Sequence, residues 1–167
     1  ADIVMNAARK FESLGVIVEE AHPDLREALE CAQVLRALSY AVGMHALLES
    51  HRDKLKPEVI WNIEKGLALT GAEIARAEAQ RSAMFIRTLK FFETYDLLLC
   101  PTTIVPPFPL DQLYVPHCNV PEFYTSVYLL PSLSTILNLY SPPLSLPAGF
   151  TPQHLHRSFT IITTPSF

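Results

Sequence analysis

The chain has 167 residues, 49% of them hydrophobic and 18% charged, with a formal net charge of -4 at neutral pH, so it is long enough for one well-cored domain or part of one and too short to promise two. The charge is spread without a long basic run, which removes the electrostatic footprint of a nucleic-acid binder. Three widely spaced cysteines, Cys31, Cys100 and Cys118, fit neither a disulfide framework nor a paired zinc ribbon, and with no export leader visible they point to a cytoplasmic protein.

Ile3, Ala7, Phe11 and Leu14 recur at helical spacing, and Gly15 follows as a residue able to take the left-handed conformation that ends helices. Val16, Ile17 and Val18 are β-branched and apolar, which predicts a short buried strand after that cap. His22 and Pro23 turn the chain. Asp24 is positioned to cap a second helix, with Glu27 reaching back, and Leu25, Leu29, Ala32, Leu35 and Val42 carry its apolar stripe into the forties. Pro57 suits the first turn of a third helix through Ile60, Ile63 and Leu67, and Thr70 with Glu73 forms a capping-box pattern after a break between Gly66 and Gly71.

A long helix follows through Ile74, Ala77, Phe85, Leu89 and Phe92, with Arg76, Arg81 and Arg87 on its solvated side and the aromatics Phe85, Phe91, Phe92 and Tyr95 in core packing. Leu97 to Cys100 is a compact apolar run closed by Pro101 and predicts a central buried strand. Residues 101–121 hold prolines at 101, 106, 107, 109, 116 and 121, which predicts a long irregular loop with a pocket-covering role. A further helix is expected from Glu122 toward Asn138. Leu144 to Leu146, ending at Pro147 and Gly149, and Phe159 to Ile162 predict two more strands. Helices interleaved with short strands give an α/β class, a mixed sheet flanked by helices.

Between Glu122 and Arg157 there is no Asp, Glu, Lys or Arg. Burial accounts for such a stretch, and so does contact with a membrane surface. A spanning helix is disfavoured, because Pro131, Pro142, Pro143 and Pro147 interrupt a segment that needs about 20 continuous helical residues.

Two segments resemble the amidase-signature family: Tyr95-Asp96-Leu97-Leu98-Leu99-Cys100-Pro101-Thr102-Thr103 with Pro106-Pro107-Phe108-Pro109 after it, and Pro142-Pro143-Leu144-Ser145-Leu146-Pro147-Ala148-Gly149-Phe150-Thr151-Pro152. Their order and separation match that family, as do Leu14-Gly15-Val16 and the Gly66 region, so the similarity covers almost the whole chain. The resemblance implies a partial amidase-signature fold and hydrolysis of a carboxamide C–N bond, without cofactor, by a serine activated through a second serine and a neutral lysine. The glycine- and serine-rich signature that supplies the nucleophile is not in this sequence. None of Lys10, Lys54, Lys56, Lys65 or Lys90 matches the lysine, so the resemblance carries no catalytic residue onto this chain.

The expectation is therefore the C-terminal portion of a single amidase domain, truncated at both ends and inactive alone. It would contribute scaffold and pocket wall to a site that takes a small-molecule amide together with the missing N-terminal half. Thr102 and Thr103, at the end of the strand, are the candidates for lining the substrate pocket; the alternative is that they satisfy backbone groups where the strand ends. A second expectation, from another class, is a noncatalytic remnant that self-associates or binds a protein partner through exposed apolar surface, or attaches to a membrane surface through residues 123–150.

Departures from the family concentrate near the C-terminus. Where the family reads Gly-Leu-Pro-x-Gly-x-Gln-Ile, this chain has His154-Leu155-His156-Arg157-Ser158-Phe159-Thr160-Ile161, which predicts strain at His154 or Ser158 if the turn needs a positive torsion. Tyr140 also stands where the family has glycine. A metal site from His154 and His156 on one strand face with His117 and Cys118 is set aside for want of an acidic ligand. Cys100 reads as an inert buried thiol, and Ser132 and Ser134 lack a base.

Overall fold

The computed structural model describes residues 2–103, 107–109, 111 and 144–163. The expected loop at 101–121 and helix at 122–138 lie largely or wholly outside these residues, as do Tyr140, His117, Cys118, Ser132 and Ser134. The described elements run α1 (Asp2–Arg9), α2 (Ala28–His51), α3 (Pro57–Leu67), α4 (Gly71–Phe91), β1 (Leu97–Pro101), β2 (Leu144–Phe150) and β3 (His156–Thr163). They form two compact units, Ala1–Asp24 with Phe85–Phe167, and Leu25–Met84, with one boundary falling inside α4.

In the first unit α1 passes into a 3-10 turn, Lys10–Leu14, and stops at Gly15, whose φ of 83° is the left-handed cap expected there. The Gly15 amide donates to the Glu12 carbonyl and the Val16 amide to that of Phe11. The predicted strand at Val16–Val18 does not form: this segment is irregular, and Ile17 is 87% exposed. Its β-branched residues have the composition of a strand, but no neighbouring strand among the described residues pairs with them.

The sheet order is β1-β3-β2, both pairings antiparallel, so β3 and not β1 holds the middle among the described strands. The α/β class holds, built here as a small antiparallel sheet with helices. Residues directly opposite in such a ladder share a face. Leu99 faces Ile161, and Pro101 faces Phe159 and through it Leu146. This side packs on Val4, Ala7 and Phe11 of the α1 segment. The other side carries Leu98, Cys100 and Ile162 and packs on Phe91 and Phe92. β2 runs past the expected end at Pro147 to Phe150 through a register shift between Pro147 and Gly149. Gly149 sits at φ 145°, and a Cβ there would stand 3.3 Å from Ile3 Cγ2. Glycine serves both the torsion and the approach of α1.

In the second unit α2 begins at Ala28, three residues beyond a helix capped by Asp24; Glu27 precedes it and makes no side-chain cap bond. It continues to His51, and its buried side is small: Ala28, Cys31, Ala37 and Ala41. Val42, expected in the apolar stripe, is 80% exposed. The small side has a purpose. Gly66 of α3 lies so close to α2 that a Cβ on it would collide with the Ala37 carbonyl oxygen and stand 2.8 Å from Ala41 Cβ. Pro57 opens α3 as expected. The Thr70 and Glu73 box also forms: the Thr70 hydroxyl accepts from the Glu73 amide at 3.2 Å, and a Glu73 carboxylate oxygen accepts from the Thr70 amide at 2.8 Å. Those bonds hold the Glu73 carboxyl below the usual carboxylate range. Arg76 reaches Glu30 at 3.0 Å, an exposed pair that fits the solvated side foreseen for it.

Candidate functional site

The two threonines singled out in the sequence stand at the exit of β1. The Thr102 amide continues the ladder by donating to the Ser158 carbonyl at 3.1 Å. Its side chain does something else. Thr102 Oγ1 is 3.0 Å from Thr160 Oγ1 and 3.3 Å from Ser145 Oγ. The hydroxyls of β2, β3 and the β1 exit thus form one connected patch. Because Cys100, Thr160 and Ser145 lie directly opposite one another across the ladder, the patch belongs to the Leu98 and Ile162 face. The Thr102 hydroxyl is therefore tied to other hydroxyls, and the backbone at this strand end is served by the Thr102 amide instead.

A hydroxyl both donates and accepts, so three of them in contact form a neutral patch whose bond directions can reverse to suit either a carbonyl or an N–H. Ser145 is exposed and gives that patch an opening to solvent. Cross-strand hydroxyl pairs also steady a sheet by a few tenths of a kcal/mol up to about 1 kcal/mol each. Thr160 stands where the family motif has glutamine and was not singled out in the sequence. Strand alternation through residues 156–163 combined with a pairing register would have been needed to bring it beside Thr102.

Thr103 is exposed, and its carbonyl accepts from Arg157 Nη2 at 3.2 Å. Arg157 is only 8% exposed, and its Nη1 has no hydrogen-bond partner. It pairs opposite Gly149, and strand alternation puts it with Phe159 on the α1 face, away from the hydroxyl patch. The structure thus brings Thr102 to Ser145 and Thr160, and Thr103 to Arg157. Arg157 was also missed, since it falls at a position the motif leaves open.

The remaining candidates separate cleanly. His154 is not a strand residue: its φ is 60°, the Thr151 carbonyl accepts from its amide at 2.9 Å, and it occupies the turn between β2 and β3. It does not share a strand face with His156, whose ring instead meets Phe150 edge-on at 5.0 Å between centroids. The left-handed torsion lies at the position where the motif has glycine, as the strain argument expected. No group of three His, Cys, Asp or Glu side chains among the described residues could hold a metal. Burial pushes the Cys100 thiol up to about 11, which keeps it protonated and poorly nucleophilic near neutrality. Cys31, buried and donating to the Ala77 carbonyl at 3.3 Å, is likewise raised to about 11 by burial. Burial first and the nearby Arg36 charge second lower the Lys65 ammonium, which also lies 4.9 Å from the Trp61 ring centroid. No helix among the described residues is long and apolar enough to cross a membrane.

Comparison with known proteins bears on the same residues. The profile of the family described as Amidase matches residues 2–165. An acylamidase of Rhodococcus erythropolis is 27% identical over 157 residues, which cover 89% of this chain and 32% of the acylamidase. A solved amidase superposes with a TM-score of 0.83 at 21% identity, over 99% of this chain and 38% of that one. A 6-aminohexanoate cyclic dimer hydrolase superposes with a TM-score of 0.80 at 16% identity, over 98% and 37% respectively. The chain thus spans about a third of the length of the relatives it matches.

Proposed function

The chain belongs to the amidase family, and on that premise we propose that it is the C-terminal portion of a carboxamide hydrolase, contributing scaffold and one pocket wall to a site whose nucleophile lies in the remaining portion. The observation that carries this reading is the family match over residues 2–165 in a sequence that holds no glycine- and serine-rich nucleophile segment. In this reading Thr102 and Thr103 edge the substrate pocket, and the hydroxyls of Thr102, Thr160 and Ser145 offer a neutral surface suited to an uncharged amide group. The acylamidase and the cyclic dimer hydrolase support the reaction class. The cytoplasm is the compartment that fits the cysteine usage.

Purified chain 1–167 should not turn over simple aryl or aliphatic amides. Steady hydrolysis that survives repurification and contaminant controls would overturn the proposal. A second reading, a noncatalytic remnant acting as an interaction module, draws on the exposed apolar side chains Leu14, Ile17, Val42 and Phe150. Light scattering separates the two, since a well-behaved monomer with no apolar partner counts against the module. Failure to cosediment with liposomes removes attachment to a membrane surface.

A further inference from the structure

We propose that Arg157, together with the Thr103 strand exit it holds, is a carboxylate-binding subsite, and that the amide this chain helps to bind carries a free carboxylate group. This rests on the function proposed above and names the substrate class.

The inference begins with a charge in apolar surroundings. Residues 123–167 contain a single Asp, Glu, Lys or Arg, and it is Arg157. Its side chain is nevertheless buried. Strand alternation sets it on the face with Phe159, which packs on Val4 and Ala7. Gly149 stands opposite with no side chain to offer, and Ile3 closes over that glycine. Among the described residues no carboxylate forms an ion pair with Arg157. Asp2 and Glu12, the acids of the α1 segment, are exposed.

Burying a guanidinium is costly unless acceptors and a counter-charge surround it. Arg157 has one acceptor, the Thr103 carbonyl, which Nη2 reaches at 3.2 Å. Nη1 is buried and has no partner. Each terminal nitrogen carries two N–H groups, so Nη1 and the second hydrogen of Nη2 still present the planar fork that suits a carboxylate. Water in that place would satisfy the hydrogen bonds and leave the charge unanswered, whereas a carboxylate answers both. The position also adjoins the proposed pocket edge. Consecutive strand residues point to opposite faces, and Thr102 turns its hydroxyl to Thr160 and Ser145 while Thr103 meets Arg157 on the other side. A ligand lying across the strand ends therefore meets neutral hydroxyls at one end and the guanidinium at the other. Position 157 is the one the family motif leaves open, so the fork is a property of this chain.

The test is binding to the full chain 1–167 of succinamate, an amide bearing a carboxylate, and of succinamide, its uncharged counterpart. Thermal unfolding and the Arg157 side-chain Nε resonance are the two readouts. Succinamate should raise the unfolding midpoint, shift that resonance and bind roughly tenfold or more tighter than succinamide. Arg157→Met should erase the preference and, with no ligand, melt no lower than the wild type, because it removes an uncompensated buried charge. Equal responses to the two probes, or a preference that survives Arg157→Met, overturn the subsite and leave the hydrolase reading standing. Sodium chloride that reproduces the succinamate response at matched ionic strength overturns the choice of a carboxylate. If Arg157→Met does not fold, the resonance in the wild-type chain decides alone. A shift with succinamate and none with succinamide supports the subsite, and no shift with either overturns it. Hydrolysis of either probe by the chain alone overturns the reading of an incomplete hydrolase without touching the subsite.

Discussion

The unit Leu25–Met84 and the unit built around the sheet contrast in how their surfaces are finished. In the helical unit the closest approach, Gly66 on Ala37, is made by small residues that no bulkier side chain could replace, and the α4 start is sealed by a reciprocal cap. In the sheet unit α1 and the Phe91–Phe92 pair cover the two faces, yet among the described residues one edge of β1 and the strand-like segment Val16–Val18 have no partner strand. The contrast teaches that local signals can finish a helix pair, whereas a sheet is finished only when every edge is paired, covered or blunted.

Five substitutions and one titration sharpen or break that contrast. The largest effect belongs to the sheet unit: Phe159→Ala, at a position 4% exposed between α1 and the sheet, should cost about 3–5 kcal/mol in urea unfolding. A loss below about 1 kcal/mol would mean that the α1 face is not a packed core. Gly66→Ala should cost about 1–3 kcal/mol or more by overpacking against α2. Near-neutral behaviour would show that the helices can move apart, and the helical unit would lose its claim to be finished. Thr70→Ala should cost about 1 kcal/mol through loss of the cap. Glu73→Gln should remove the acid sensitivity the cap introduces. A carboxyl held below its ordinary value adds stability that is present above the unfolded value and lost as pH falls through the folded one. His154→Gly, which relieves a left-handed torsion, should stabilise by about 1 kcal/mol or less.

The titration runs the other way. Cys31 and Cys100 are raised from 9.0 to about 11 by burial, so each favours the folded state as a neutral thiol. That contribution is fully present below the unfolded value and is lost as pH rises through about 9 to 11. Alanine at both positions should flatten the alkaline limb of a pH–stability curve. An unchanged limb would contradict the burial of the two thiols.

Much of this fold was legible residue by residue. Gly15, Pro57 and the Thr70–Glu73 box each act within one turn of chain, and each ends or begins a helix where the sequence placed it. The strands at Leu97 and Phe159 followed from short apolar runs bounded by turns. Asp24 misled because its backbone carbonyl and carboxylate are engaged with Arg87, 63 residues away, and no local rule reports that. Val16–Val18 misled more usefully: the composition was that of a strand, and what differs is the neighbour that would bury it. At the candidate site, Thr102 was visible from the strand end it follows. Thr160 and Ser145 became its companions only through the β1-β3-β2 register, which period-2 patterning constrains but does not determine.

The intimacy of Gly66 with Ala37 also bears on the order in which the molecule assembles. Contacts between residues so near in sequence close quickly, because little chain has to be ordered to make them. β1 must wait for β3, which is translated dozens of residues later. During synthesis a locked helix pair would precede a sheet that still lacks its middle strand, and the exposed hydrophobic ribbon at β1 would then be the feature most in need of a chaperone.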